Sequence, residues 1–229
     1  MQTIQSSTCV VMAAYNEAPV IGRVLAELCQ KSYRVVVVDD GSSDGTCEVA
    51  LAFPVTVLRH AANLGQGAAL QTGITFALRD PGVQIIVTFD ADGQHDPEDI
   101  PHLEEALRKN YAAALGSRFM TGGQASNMPL LKRLTLVLAV SITRWLTGLP
   151  LTDTHNGLRA FTRQAASQIH IRQNGMAHAS EILSQIAALK LAYCEVPVRI
   201  RYTDYSKRKG QSIFNSLNIL WDILGNKLR

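Results

Sequence analysis

The chain holds 229 residues, of which 47% are hydrophobic and 18% charged, with a formal net charge of +3. These values exclude a disordered chain and fit one domain, or one domain with a modest extension, built on a large core. So weak a charge creates no field for nucleic acid, although Lys207-Arg208-Lys209 gather positive charge ahead of a C-terminal apolar stretch.

The first half alternates strands and helices. Thr8–Ala14 is an apolar run that predicts a strand and ends at Tyr15-Asn16-Glu17. Helical spacing follows through Ile21, Val24, Leu25 and Leu28. A valine-rich second strand, 34–38, has the composition of a buried parallel strand and stops at Asp39-Asp40-Gly41-Ser42. Ser43 or Asp44 can cap the next helix, through Val49 and Ala50. A third strand is expected at 54–58, a helix at 67–79 and a fourth strand at 85–89. A helix over 97–110 has Asp96 as its cap and Pro97 in its first turn, and a short fifth strand follows at 112–115. Such alternation implies right-handed crossovers and a parallel sheet. In the second half, 129–146 predicts a helix with a broad apolar face and 147–159 a loop. A helix near 179–189 leads to a strand at 193–201 and a basic loop at 202–210. From Ser212 a last helix carries Ile213, Leu217, Leu220, Leu224 and Leu228 at helical spacing.

No signal-like segment opens the chain. The most apolar window, 130–151, is interrupted by Lys132, Arg133 and Arg144. Its uncharged run, 134–143, is well short of the ~20 residues that span a bilayer, so no transmembrane segment is expected. Cys9, Cys29, Cys47 and Cys194 form no C-x-x-C pair and no zinc-like spacing with histidine, and read as reduced thiols of a cytosolic protein. The absence of G-x-G-x-x-G after the first strand and of G-x-x-x-x-G-K-[ST] argues against dinucleotide-binding and P-loop folds.

Asp90-Ala91-Asp92 follows the fourth strand directly. Open α/β sheets bind ligands at the carboxyl ends of their strands. Mg²⁺ typically binds through one or two carboxylates plus substrate phosphates, so the pair suits a cation on a nucleotide diphosphate. Alone, the same pattern is also an Asp-Gly turn before a capped helix. Convergence favours the first reading: Tyr15-Asn16-Glu17, Asp39-Asp40, Asp90 with Asp92, and Gly116-Ser117-Arg118 end strands that a parallel sheet brings to one edge. His60, His95, His155 and His178 show no metal-site spacing, though His95 can line the site or stabilise the turn.

These segments, with Ala14-Tyr15-Asn16-Glu17, Val38-Asp39-Asp40-Gly41-Ser42-Ser43-Asp44-Gly45-Thr46, Asn63-Leu64-Gly65-Gln66-Gly67, Asp90-Ala91-Asp92-Gly93-Gln94 and Gly116-Ser117-Arg118-Phe119, resemble the family 2 glycosyltransferases of GT-A fold. Thr152-Asp153-Thr154-His155-Asn156-Gly157-Leu158-Arg159-Ala160-Phe161 is similar to the D-T-Q-S-G-F-R-A-F segment of the dolichyl- and polyprenyl-phosphate sugar synthases. The resemblance covers roughly 8–210. It implies an α/β chain with a mostly parallel central sheet flanked by helices, as a single GT-A catalytic domain over 1–229. The nucleotide-sugar half would cover about 1–117 and the acceptor and membrane-facing half about 118–229.

The implied activity is inverting transfer of a hexose from a GDP-mannose or UDP-glucose type of donor to polyprenyl or dolichyl phosphate, with Mg²⁺ or Mn²⁺ as cofactor. By that resemblance, Ala14, Tyr15, Glu17, Asp39, Gly67, Asp90, Ala91 and Asp92 would form the nucleotide-sugar site, Glu17 and Asp39 contacting the nucleoside. Asp90, Asp92 and Gln94 would hold the metal. Arg118, Arg133 and Arg201 would grip the acceptor phosphate, and Asp92, Arg118 and Glu181 are the catalytic candidates. Guanidinium groups suit phosphate oxygens. A phosphate monoester, with a second pKa of ~6, is already ionised, whereas a sugar hydroxyl needs a general base. Glu181 is the one late carboxylate for that task, and reads equally as a structural glutamate; Arg133 reads equally as a solvated helix residue.

No late E-D pair and no Q-x-x-R-W is present, Ser141 standing where the glutamine before Arg144-Trp145 would be, which argues against processive polysaccharide synthases. Ala13 replaces a frequent proline, Gln66 a frequent lysine, and His155-Asn156 the Gln-Ser pair, so acceptor or sugar selectivity can differ. The helices at 130–146 and after 212 suit either core packing or a membrane surface, with anionic lipid attracted by the basic run. A peripheral enzyme on the cytoplasmic membrane face is therefore expected, recruited directly or by a separate small membrane protein. The competing readings are a family 2 transferase acting on a sugar hydroxyl of a lipid-linked glycan or cell-envelope polymer, and a nucleotide-sugar-binding module without activity. Intact Asp39, Asp90, Asp92 and Arg118 speak against the latter.

Overall fold

A computed structural model describes residues 6–203, 205 and 206. The strands are β1 (Thr8–Ala14), β2 (Arg34–Asp39), β3 (Thr56–Arg59), β4 (Ile85–Asp90), β5 (Ala113–Ser117), β6 (Gln124–Ser126), β7 (Arg159–Thr162), β8 (Tyr193–Pro197) and β9 (Arg199–Arg201). Seven of them form one sheet in the order β3-β2-β1-β4-β7-β5-β8, and β6 pairs with β9 in a small second sheet. Neighbours in the large sheet are parallel except at β7, which runs antiparallel to both β4 and β5.

Alternation along the strands sorts side chains to two faces. Val10, Met12 and Ala14 of β1 join Val35 and Val37 of β2 in one core, while Cys9, Val11, Val36 and Val38 join the other. The first core is closed by α1 (Ala18–Gln30), α2 (Thr46–Leu51) and α4 (Ile100–Arg108) through Ile21, Leu25, Leu28, Ile100 and Leu103. The second is closed by α3 (Gln66–Ala77), α6 (Arg163–Gln168) and α7 (His178–Ala188) through Leu70, Ile74, Ile182, Leu183 and Ile186. Each such side chain contributes about 1.5–3 kcal/mol when fully buried. This three-layer arrangement explains the valine-rich strands, since strands covered on both faces have no polar side.

The expected strands and helices of the first half are present within a few residues. Asp96 caps its segment as expected, its Oδ1 accepting the Glu98 N–H at 3.0 Å. The helix it opens begins as a 3-10 turn, Pro97–Asp99, before α4. Asp44 Oδ1 accepts the Thr46 N–H at 3.0 Å, at the start of α2.

The second half departs more. The expected loop at 147–159 ends in β7, and α6 follows it without a predicted counterpart. The single strand expected at 193–201 is broken at Val198 into β8 and β9, which belong to different sheets. The basic run 207–209 and the helix after 212 lie outside the described residues.

The helix expected at 129–146 is α5 (Leu130–Thr147), ended by Gly148 at φ +70°. Leu136, Ala139, Val140 and Thr143 are buried. The other face exposes Leu134 by 68% and Trp145 by 71%, with Leu130, Val137 and Leu138 also exposed. Among the described residues no helix is long and apolar enough to cross a membrane.

Candidate active site

The carboxyl ends of β1, β4 and β5 open onto a cavity of about 530 Å³. Ala14, Tyr15 and Glu17 enter it after β1, and Asp90, Ala91, Asp92 and Gln94 after β4. Arg118 enters from β5, and His155 and Gly157 from the segment leading into β7. Thr135, Leu136 and Ala139 of α5 form an apolar flank. Residues far apart in sequence meet here because parallel strands end on one edge.

Asp90 is clamped. Its Oδ1 accepts from Gln66 Nε2 and its Oδ2 pairs with His95 Nε2, both at 2.9 Å. Burial opposes its ionisation, but the His95 hydrogen bond and charge hold the carboxyl below the usual carboxylate range. Gly157 backs onto this carboxylate so closely that a Cβ would lie 2.2 Å from Asp90 Oδ2. Asp92 is bound only by its own turn, accepting from the Gln94 N–H at 3.0 Å and from Gln94 Nε2 at 2.7 Å. Burial, then the charge of Asp90, push its carboxyl up to about 6. Two half-buried carboxylates in this state favour an added cation. Among the described residues no cluster of three or more His, Cys, Asp or Glu could hold a metal. At this turn the described residues offer the two carboxylates of Asp90 and Asp92. That donor set fits a Mg²⁺-type ion completing its shell with water and phosphate oxygens.

Arg118 is 7% exposed and rigidly held. Its Nε donates to Asp153 Oδ2 at 2.6 Å, Nη1 to the Tyr202 hydroxyl at 2.7 Å and Nη2 to the His155 carbonyl at 2.8 Å. Burial opposes its charge, yet Asp153 and Tyr202 raise its pKa further. Glu195 in turn fixes the Asp153 segment by accepting the Thr152 and Asp153 N–H groups at 2.8 and 3.0 Å. Glu17 Oε2 accepts from the Tyr205 hydroxyl at 2.8 Å.

Several expected site residues lie elsewhere. Asp39 is fully buried, its Oδ1 accepting the Ser42 N–H at 3.1 Å and its Oδ2 3.2 Å from Arg59 Nε. Its neighbour Asp40 reaches the cavity wall instead, accepting the Leu64 and Gly65 N–H groups at 3.0 and 2.7 Å. Gly67 packs against the 173–175 backbone, where a Cβ would meet the Gln173 carbonyl at 2.0 Å. Glu181 accepts the Arg172 and Gln173 N–H groups at 3.0 and 2.8 Å, away from the cavity, so it ties a loop to α7 rather than facing a substrate. Arg133 is exposed on the first turn of α5. Arg201 donates to Asp96 Oδ2 at 2.7 Å. Neither arginine lines the cavity. Sequence reasoning missed Tyr202, Tyr205 and Glu195, which hold Arg118, Glu17 and Asp153 in place. Their signal was only a polar residue in or after a late strand.

Comparison with known proteins agrees with this geometry. The family described as glycosyl transferase family 2 matches residues 9–170. The chain is 31% identical over 239 aligned residues to a UDP-N-acetylglucosamine--dolichyl-phosphate N-acetylglucosaminyltransferase of Methanococcus voltae, covering 95% of each chain. It is 32% identical to a polyprenol monophosphomannose synthase of Mycolicibacterium smegmatis, covering 90% of this chain and 82% of that one. Among solved structures it superposes on glucosyl-3-phosphoglycerate synthase of Mycobacterium tuberculosis, a complex holding Mn²⁺, UDP and glucosyl-3-phosphoglycerate. The TM-score is 0.66 and the identity 18%, over 95% of this chain and 78% of that one.

Proposed function

This chain belongs to glycosyl transferase family 2 and is a glycosyltransferase of GT-A fold, and we propose that it moves a hexosyl unit from a nucleotide sugar to polyprenyl phosphate with inversion. One observation carries the choice of acceptor. Among the described residues every carboxylate on the cavity that Arg118 enters is engaged: Glu17 by Tyr205, Asp40 by backbone amides, Asp90 by Gln66 and His95, and Asp92 by Gln94 and, in this reading, by the cation. A site with no carboxylate set as a base suits an acceptor that arrives ionised, as a phosphate does.

In this reading Tyr15 and Glu17 hold the nucleoside, and Asp90, Asp92 and Gln94 would hold a divalent cation. That ion supplies Lewis-acid neutralisation of the leaving nucleotide. Arg118 positions the acceptor phosphate through N–H groups not spent on Asp153, Tyr202 and His155. A phosphate oxygen attacks the anomeric carbon as the bond to the nucleoside diphosphate breaks. No proton transfer is required. Residues 1–117 form the donor half and 118–229 the acceptor half.

The lipid tail leaves along α5. Its inner side, Thr135, Leu136 and Ala139, lines the cavity, while Leu130, Leu134, Val137, Leu138 and Trp145 are exposed outside. An exposed apolar helix face beside an acceptor site suits a bilayer interface, with Arg133 toward the lipid headgroups. The protein is thus peripheral on the cytoplasmic membrane face.

The decisive experiment offers GDP-mannose, UDP-glucose and related donors with Mn²⁺ and a short polyprenyl phosphate, and detects product by mass. A glycosyl-phosphoryl-polyprenol product, lost on chelation of the metal, is expected. Transfer only to a free glycan hydroxyl refutes the reading.

A further inference from the structure

A second, smaller cavity of about 60 Å³ lies directly behind Asp90. It shares Asp90, His155 and Gly157 with the main cavity, and its own walls include Leu70, Thr88, Asn156, Arg159, His178 and Ile182. None of the chemistry described above uses it.

Its polar lining is incompletely satisfied. Asn156 is 2% exposed, and its Oδ1 accepts the Leu158 N–H at 3.0 Å, which orients the amide. Its Nδ2 is then buried with no partner, a state that is costly unless something occupies it. Arg159 is 4% exposed. Its Nε, Nη1 and Nη2 each donate once, to the Asn156, Ala179 and Thr154 carbonyls at 3.0, 3.1 and 3.0 Å. A guanidinium has five N–H groups, so two remain. Burial lowers its pKa to about 10, and the ion pairs among the described residues include none to it. His155 Nε2 is also buried without a partner. Leu70 and Ile182 add aliphatic carbon to the same lining.

A small cavity lined by a buried cation, a free amide donor and aliphatic carbon matches a short substituent ending in an sp² oxygen. The transferred sugar is the group in reach, since it is bonded to the diphosphate that Asp90 and Asp92 face. We propose that this cavity is a subsite for a carbonyl or carboxylate oxygen on the transferred sugar, with Asn156 and Arg159 as its donors. It therefore selects acetamido or C6-carboxylate sugars over plain hexoses. This inference rests on the nucleotide-sugar reading above and narrows its donor class. The His155-Asn156 pair, which stands where related segments have Gln-Ser, is the specificity element.

Calorimetry with Mn²⁺ and no acceptor tests it independently of what the sugar is transferred to. UDP-glucose, UDP-N-acetylglucosamine and UDP-glucuronate form one series, GDP-mannose and GDP-mannuronate another, and affinities are compared within a nucleotide. The substituted sugar should bind about 10- to 100-fold more tightly, the range a few well-placed hydrogen bonds supply. Preference for acetamido or for carboxylate then identifies the source of the oxygen. Asn156→Ser and Asn156→Asp should each cut the ratio to within about threefold, with UDP or GDP binding and a thermal melt as checks on folding. Affinities equal within threefold, or a ratio unchanged in both variants, would show a cavity holding water only and overturn the proposal. Failure of every nucleotide sugar to bind would overturn the donor reading and this inference together.

Discussion

Replacing Gly157 by alanine should disable the site from behind. A Cβ at this position would lie 2.2 Å from Asp90 Oδ2 and 2.6 Å from its Cγ and Oδ1, where ordinary contact starts near 3.4 Å. The φ of Gly157 is not in the left-handed region, so the backbone accepts alanine and the steric overlap is the whole effect. Relief requires Asp90 to move by about 1 Å, because all three of its carboxyl atoms lie well inside contact distance and it has the cavity to move into. Such a shift breaks the 2.9 Å contacts to Gln66 and His95 that now aim the carboxylate. Overpacking of this kind costs about 1–3 kcal/mol. A misplacement of about 1 Å at a reacting centre can cost about 100-fold in rate. The measurement is donor kcat/KM on a short polyprenyl phosphate, with a thermal melt alongside. Expected are a fall of about 100-fold and a melting point lower by several degrees. A Gly157→Ala enzyme with unaltered turnover and melting would refute the claim that Gly157 exists to let Asp90 sit where it does.

Asp92→Asn should abolish metal-stimulated turnover while melting at or above the wild-type temperature without metal, because it removes a carboxylate that burial and Asp90 disfavour; a variant that keeps metal-dependent activity contradicts the proposed ligand set. Glu181→Gln should retain turnover within a few-fold and lose about 1 kcal/mol of stability, since its oxygens hold the Arg172 and Gln173 amides; a hundredfold rate loss with donor binding intact would restore Glu181 as a base and favour a hydroxyl acceptor. Burial holds His155 down at about 4 and lowers His178 as well. Taken alone, these histidines bind more protons in the unfolded chain between about pH 6.5 and 4, so their contribution to stability is lost as pH falls through that window, by about 1 kcal/mol per unit for His155, while Asp92, pushed up to about 6, acts in the opposite sense because it holds its proton in the folded chain. Urea melts of wild type and His155→Gln at pH 7 and pH 5 isolate the histidine part: the variant should lose less stability, or gain more, on going to pH 5, and the same pH 7 to pH 5 difference in both proteins would sink the argument. Leu134→Glu with Trp145→Glu should abolish sedimentation with anionic vesicles and turnover on vesicle-borne acceptor, and spare turnover on a short soluble polyprenyl phosphate; unchanged vesicle binding would remove α5 as the membrane face.

The donor half of the site was legible because periodicity alone orders it. Once strands and helices alternate, the ends of β1, β4 and β5 must share an edge, and Glu17, Asp90, Asp92 and Arg118 come with them. Finer choices were not legible. Which of Asp39 and Asp40 reaches the cavity depends on the pleat at the end of β2, and a doublet of identical residues carries no sign of it. Strand β7 escaped because it is four residues long and begins with an arginine, a residue that looks like loop until its three backbone carbonyl partners are seen. Glu181 resembled a base because sequence shows its charge and not the two amides nine and eight residues upstream that absorb it. Arg118 was found, but Asp153, Tyr202 and Glu195, which fix its pose, lie 35, 84 and 77 positions along the chain.

The antiparallel course of β7 has an outcome for how this protein can change. A strand running against its neighbours starts where they finish, so Arg159 opposite Thr88 and Leu115 pins the incoming segment to the catalytic edge. Residues 152–157 reach the sheet as a loop, and Leu158 joins it to β5, its carbonyl accepting the Gly116 N–H at 2.9 Å. Substitutions within them leave every strand pairing intact. A one-residue deletion inside β7 itself would instead exchange Ala160 and Phe161 between the two cores and spoil both. Within the segment Asp153, Gly157 and Leu158 are tied to Arg118, Asp90 and the core, which leaves His155 and Asn156 as the positions on a fixed frame where side chains can change without touching a strand.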